Sequence, residues 1–146
     1  MVLLENKKAK LRFFTVESYS AGIELTGSEA KSLRQKQGSL DGARVVVRGG
    51  EAYLIGATIP PYQVANAGKG YDPERPRKLL LKKEEVAELA DAESKKGLTI
   101  VPFEVYNDRY LKVRVAVVRG KGKADKREDL KKKDAEREVA RILKRK

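Results

Sequence analysis

The sequence predicts a mainly β, α+β chain: a small antiparallel β-barrel of about six strands, two or three helices between them, and a basic C-terminal tail. Three observations lead there. Short runs rich in Val, Ile, Leu, Tyr and Phe alternate with polar residues at the period of two that half-buried strands need. Glycine, proline and asparagine clusters punctuate those runs. Helical patterns are few, and the last 27 residues carry charge rather than apolar surface.

Asn6 to Lys10 is a short basic stretch. Leu11 to Val16 mixes aromatic and β-branched residues and Gly22 to Thr26 alternates, which predicts a first strand system to about Thr26. Thr26 with Glu29 is a capping-box pattern opening a helix from Ser28 to about Gln37. Ala30 and Leu33 form its buried edge, and Gly38 reads as the glycine just past its end. Arg44 to Arg48, Gly49-Gly50 and Glu51 to Ile59 read as a hairpin, because the glycines supply the positive φ of a two-residue turn. Pro60-Pro61 stops the second strand. Tyr62 to Lys78 reads as a loop, stiffened by Pro73 and Pro76.

Leu79 to Leu81 lead into a helix from about Lys82 to Lys96. Its early Glu84 and Glu85 and late Lys95 and Lys96 suit the helix dipole. Val86, Leu89 and Ala90 form its apolar stripe, and Gly97 follows its end. Leu98 to Tyr106 and Tyr110 to Val118 are strands joined at Asn107-Asp108. In the second, Leu111, Val113, Val115 and Val117 face inward, while Lys112 and Arg114 face outward. Pro102 puts the first, Leu98 to Tyr106, at an edge or a bulge. Strands of this length with one polar face close well into an oligonucleotide-binding-type barrel; a flat α+β sandwich is the alternative.

The chain has 33 Lys or Arg against 21 Asp or Glu, a net charge of +12. That excess points to a polyanion, either nucleic acid or an anionic membrane. No apolar run approaches the ~20 residues of a membrane span, and Met1 to Leu4 is too short for a signal peptide. The expectation is a cytoplasmic protein with no membrane partner. Cysteine and histidine are both absent, which excludes disulfides, Cys/His zinc sites and every Ser-His or Cys-His nucleophile. Phosphate-loop and dinucleotide motifs are absent too. Asp72, Glu74 and Asp125 are scattered among cations, without the pairing a metal-dependent nuclease needs. No catalytic residue, metal site, cofactor or small-molecule substrate is expected, and the chain reads as a monomer.

The domain division expected is a β-barrel over residues 1–119 and a basic tail over residues 120–146. The tail holds 12 Lys or Arg against 6 Asp or Glu, so half of the net charge sits in it. Asp125 with Glu128 reads as a helix start, and Ala135, Val139, Ile142 and Leu143 share one helical face. The apolar surface is too small for the tail to fold alone, so it is expected to be disordered or helical, ordering on a polyanion.

Several segments together resemble the SsrA-binding protein (SmpB) family. They are Asn6-Lys7-Lys8-Ala9, Ala21-Gly22, Gly27 to Arg34, Asp72 to Leu81, and Asp125-Lys126-Arg127. The resemblance runs from Asn6 nearly to the end. It implies a barrel that binds transfer-messenger RNA (tmRNA, SsrA RNA) at its tRNA-like domain, taking the place of the missing anticodon arm. It also implies a tail that enters the decoding centre and empty mRNA channel of a stalled ribosome, so that trans-translation rescues it. Asn6, the position of Ser20 and Leu80 are implicated by the resemblance in the RNA contact.

The local chemistry leaves alternatives. Arg75, Arg77 and Lys78 form a stiff cationic loop suited to phosphates, or an ordinary surface loop. Leu80 is an apolar platform for a splayed base, or core. Asn6 contacts RNA or caps a turn. Glu29 orients a basic side chain or simply caps, with Arg34 on the same helix and Lys7 and Lys8 nearby in the basic start. In the tail, Gly120 lets the chain leave the barrel, followed by Lys121 and Lys123. By resemblance Asp125, Lys126 and Arg127 meet the decoding centre, while Lys131, Lys132, Lys133, Arg137 and Arg141 follow rRNA phosphates. Three positions depart from the family pattern: Ser20 where an acid is common, Gly122 where lysine is usual, and Ala124 where His or an aromatic could stack. The alternative function is a ribosome-associated structural RNA-binding module without tmRNA selectivity.

Overall fold

The structure, a computed structural model, describes residues 1–62 and 70–120. Residues 63–69 of the expected Tyr62 to Lys78 loop, and the readings placed on residues 121–146, lie outside the described residues. In chain order the elements are β1 (Val2–Glu5), α1 (Lys7–Arg12), β2 (Phe13–Ile23), α2 (Gly27–Arg34), β3 (Arg44–Arg48), β4 (Glu51–Ile55), β5 (Arg77–Leu80), α3 (Lys83–Ser94), β6 (Leu98–Asp108) and β7 (Tyr110–Gly120). The strands form one antiparallel sheet in the order β1-β6-β7-β2-β5-β4-β3. Its hydrogen-bonded ladder is not closed, but the sheet curls until β3 packs against β6. α3 lies over that seam, where the Glu93 carboxylate accepts from the Val47 N–H at 2.9 Å and from Arg48 at 2.7 Å. An edge amide that would otherwise be open to another chain is thus covered. The expected mainly β fold with interposed helices is present, with seven strands and three helices among the described residues.

β2 and β7 are the long spine. They pair from Phe13↔Gly120 to Gly22↔Lys112. β7 is buried on both faces toward its end. Leu111, Val113, Val115 and Val117 enter the main core, as their alternation predicts, while Ala116 and Val118 enter a second cluster with Ala9, Val101 and Phe103. α1 supplies Ala9 and so covers only that end of the outer face.

Several elements differ from the sequence expectation. The first strand system is one strand, β2, and it is preceded by β1 and α1. Those two are four and six residues long, too short to show a period. β5 takes its first two residues from the expected loop and its last two from the expected lead into the helix, because an arginine at its first inward position hides the strand pattern. α2 ends at Arg34, so Gly38 does not terminate it. Gly38 instead takes φ 135° where a Cβ would come 2.8 Å from the Thr58 carbonyl, allowing the Ser39–Thr58 bridge to close. In α3 the buried residues are Leu89 and Ala92, whereas Ala90 faces solvent. The β6–β7 turn is centred on Arg109 at φ 60°, one residue past Asn107-Asp108. The capping box, the Gly49-Gly50 hairpin and the Pro102 irregularity stand as expected: Thr26 and Glu29 exchange both bonds, the glycines take φ 60° and 77°, and the β6 register shifts between Pro102 and Glu104.

Asn6 joins these parts. Only 2% of it is exposed. Its Oδ1 accepts from the Ala9 N–H at 3.2 Å, capping α1, and its Nδ2 donates to the Pro102 carbonyl at 2.9 Å. Its own N–H donates to the Phe103 carbonyl at 2.7 Å. Asn6→Ala should therefore lower unfolding free energy by about 1–2 kcal/mol, the range for a lost cap, in urea denaturation. An unchanged midpoint would show that the cap contributes nothing.

Candidate nucleic-acid interface

Where α1 stops covering it, the outer face of β6-β7-β2-β5 is open. Side chains two apart on a strand share a face, so Tyr110, Lys112 and Arg114 of β7 lie beside one another. Their cross-strand partners on β6 are Asp108, Tyr106 and Glu104, and on β2 Ser20 and Gly22 oppose Arg114 and Lys112. Gly22 in turn opposes Leu80 of β5. One row across four strands therefore reads Tyr106, Lys112, Gly22, Leu80. With strands ~4.8 Å apart, that row spans about 14 Å. A shallow depression is lined by Ser20, Gly22, Lys78, Leu80 and Lys112.

Leu80 is 51% exposed, while Leu79 beside it is in the core. The alternation of β5 dictates this, and it excludes the core reading of Leu80. Gly22 keeps the surface low beside it: an added Cβ would sit 3.2 Å from Leu80 Cβ. Ser20 and Tyr106 share a hydrogen bond through their hydroxyls. The Arg114 guanidinium lies over the Tyr106 ring at 5.5 Å and donates to Glu104 at 2.8 Å. Lys10 also reaches Glu104, at 3.4 Å, tying α1 to the margin of the face. Burial pushes the Glu104 carboxyl up, but bonds and charge from Arg114 and Lys10 outweigh it and hold the group below its ordinary value. Lys78 pairs with Glu51 at 2.8 Å, which raises its pKa and keeps it cationic.

The cationic loop reading is divided by the structure. Arg77 belongs to β5 and is wholly buried, as is Glu29. Arg77 donates to Glu29 at 2.7 and 3.0 Å, to the Ala57 carbonyl at 3.0 Å and to the Pro73 carbonyl at 2.9 Å. It cannot reach a phosphate, because every bond holds it inside. Arg75 also donates to Glu29, with about a third of its side chain exposed. The Tyr71 hydroxyl adds a bond to Glu29 at 3.2 Å. One carboxylate thus faces two guanidiniums and leaves the surplus positive charge at Arg75, which lines a groove with Thr26, Tyr53 and Lys78. Burial pushes Glu29 up, yet hydrogen bonds from Arg75, the Thr26 N–H and Arg77 prevail and hold its pKa at about 2.

The remaining expected residues lie apart from this face. Lys7 and Lys8 are exposed on α1, Lys8 3.9 Å from Asp41. Arg34 is exposed at the end of α2 and makes no ion pair with a described residue. Asn6 is engaged as the α1 cap. Gly120 is the last paired residue of β7, opposite Phe13. Sequence reading did not single out Tyr106, Lys112, Arg114 and Gly22 as site residues. The outward lysine and arginine of β7 were the available signal.

Fold and face together define a class: a small β domain presenting a cationic, partly aromatic sheet surface of the kind that holds nucleic acid. The comparisons make it specific. Residues 3–145 match the model of the SmpB protein family, and the chain belongs to that family. It is similar to the SsrA-binding protein of Novosphingobium aromaticivorans, 43% identical over 98% of this chain and 90% of the relative. It is also similar to that of a Sulfurihydrogenibium species, 46% identical over 98% and 94%. A solved structure described as "tmRNA-SmpB: a journey to the center of the bacterial ribosome" contains a chain 41% identical to this one, with a TM-score of 0.69 over 88% of this chain and 92% of that one.

Replacing Glu29 by Gln should cost about 3–5 kcal/mol, because the Arg77 charge is left buried without its counter-ion. The folded pKa of about 2 lies below the ordinary 4.5. The unfolded chain therefore binds the proton first, so the contribution is whole above pH 4.5 and is lost as pH falls through 2. Urea titrations across that window should show the wild type converging on Glu29→Gln as pH falls. A gap of constant size would contradict the assignment.

Proposed function

We propose that this chain binds the tRNA-like domain of transfer-messenger RNA and delivers that RNA to stalled ribosomes for trans-translation. The observation that carries the reading is the family match over residues 3–145, supported by the similar chain from a structure named for tmRNA and the ribosome. The barrel takes the place of the missing anticodon arm. Lys78, Lys112, Arg114 and Arg75 meet phosphates, and Leu80 beside Gly22 meets an unstacked base or ribose. Lys7, Lys8 and Arg34 supply further phosphate contacts. Asn6, Glu29 and Arg77 act through the geometry they hold, and Ser20 acts through Tyr106. The role is binding rather than bond-making, carried out by a monomer in the cytoplasm without a cofactor.

Residues 120–146 form the second functional unit. Their charge addresses the decoding centre and mRNA channel, through Lys121, Lys123, Asp125, Lys126 and Arg127 and then through Lys131, Lys132, Lys133, Arg137 and Arg141. No described helix is long and apolar enough to cross a membrane. Cutting the chain after Gly120 should keep affinity for the tRNA-like domain within about threefold, under one 1.4 kcal/mol decade, and abolish peptide tagging on stalled ribosomes. Loss of most RNA affinity would contradict the division of labour.

A further inference from the structure

The open face ends at the β6–β7 turn, where Tyr110 is 72% exposed. A lone exposed aromatic is common on protein surfaces and by itself needs no explanation. Three further observations set this one apart. Arg109, next to it, occupies φ 60°, a left-handed conformation that glycine adopts without strain and arginine does not. The turn thus keeps a cation at its tip where a glycine would close it more easily. Tyr110 also stands on the same face as Lys112 and Arg114, two residues along β7 from Lys112, which begins the step through Gly22 to Leu80. Finally, its hydroxyl has no hydrogen-bond partner among the described residues, so no contact there explains the ring.

We propose that Tyr110 is a stacking platform for an unpaired nucleobase, with Arg109 contacting the phosphate beside it. The inference rests on the RNA-binding reading above and names a contact within it. Every base offers a π-face, so stacking is tolerant of sequence. It is selective for shape, because a base within a helix is already stacked on both sides and only a loop, bulge or strand end can present one. The cations of the sheet hold any RNA backbone. The ring at the tip favours RNA that carries an unstacked base at the right distance from the backbone held by Lys112 and Lys78.

The chain contains no tryptophan, so Tyr110→Trp places a single reporter at the tip. Wild type, Tyr110→Trp and Tyr110→Ala would be titrated with the tRNA-like domain of transfer-messenger RNA and with a blunt RNA duplex of similar length. The expected result is wild-type affinity for Tyr110→Trp, with its emission quenched by the tRNA-like domain and not by the duplex. Tyr110→Ala should lose about tenfold in affinity for the tRNA-like domain alone, within the range of one lost base stack. Its salt dependence should stay unchanged, whereas Lys112→Ala should flatten the slope by about one. Wild-type affinity in Tyr110→Ala, or a bound Tyr110→Trp whose emission does not respond, would overturn the inference while leaving the RNA-binding reading intact. A wild-type chain that does not prefer the tRNA-like domain over the duplex would overturn both.

Discussion

The Glu29 carboxylate is the charge around which this fold is arranged. It ends inside the protein, caps its own helix, and receives Arg77 from β5 and Arg75 from the preceding turn. A buried ion pair contributes little net stability over an apolar substitute, since both charges must leave water. Its effect here is on geometry. With Arg77 held inward, the period of two turns Lys78 outward, Leu79 inward and Leu80 outward again. Leu80 reaches the surface opposite Gly22 because Arg77 is held inside, three residues before it. The exposed platform and the buried ion pair are thus two ends of one four-residue strand.

The same division of labour recurs on β7. Its odd-numbered residues from 111 to 117 fill the core, and its even-numbered ones begin as a surface and end as a second core beneath α1. The Asn6 cap sets where that change occurs, because it fixes α1 against Pro102 and Phe103. Arg114 stands at the boundary, bonded to Glu104, which Lys10 of α1 also reaches. The cations on the open part are restrained rather than loose: Lys78 by Glu51, Arg114 by Glu104, Arg75 by Glu29. Restrained cations suit phosphates at fixed positions.

Much of this was legible in the residues. Thr26 with Glu29, the Gly49-Gly50 turn and the alternation of β7 each carry a local physical signature, and each appears in the structure. Arg77 was not legible as core, because an arginine reads as surface until its buried counter-ion is known, and Glu29 lies 48 residues away. For the same reason β5 carries no strand signature at its first inward position. Asn6 was ambiguous between cap and contact, and only the Pro102 carbonyl, distant in sequence, decides it. Ala90 and Ala92 could not be ranked from α3 alone, since the curvature of the sheet beneath chooses between them. The site was legible as charge and as Leu80, but not as a face. Tyr106, Gly22 and Lys112 come together only through the register of two separate strand pairs.

Transfer-messenger RNA selectivity is the central claim, because generic attraction would follow from a net charge of +12 alone. It is tested most directly by competing the tRNA-like domain against an ordinary tRNA of similar length, at ~150 mM salt where exposed charges are screened beyond about 8 Å. A preference of at least tenfold, about 1.4 kcal/mol, is predicted. Equal binding would contradict the claim and leave a basic RNA-binding module without that selectivity.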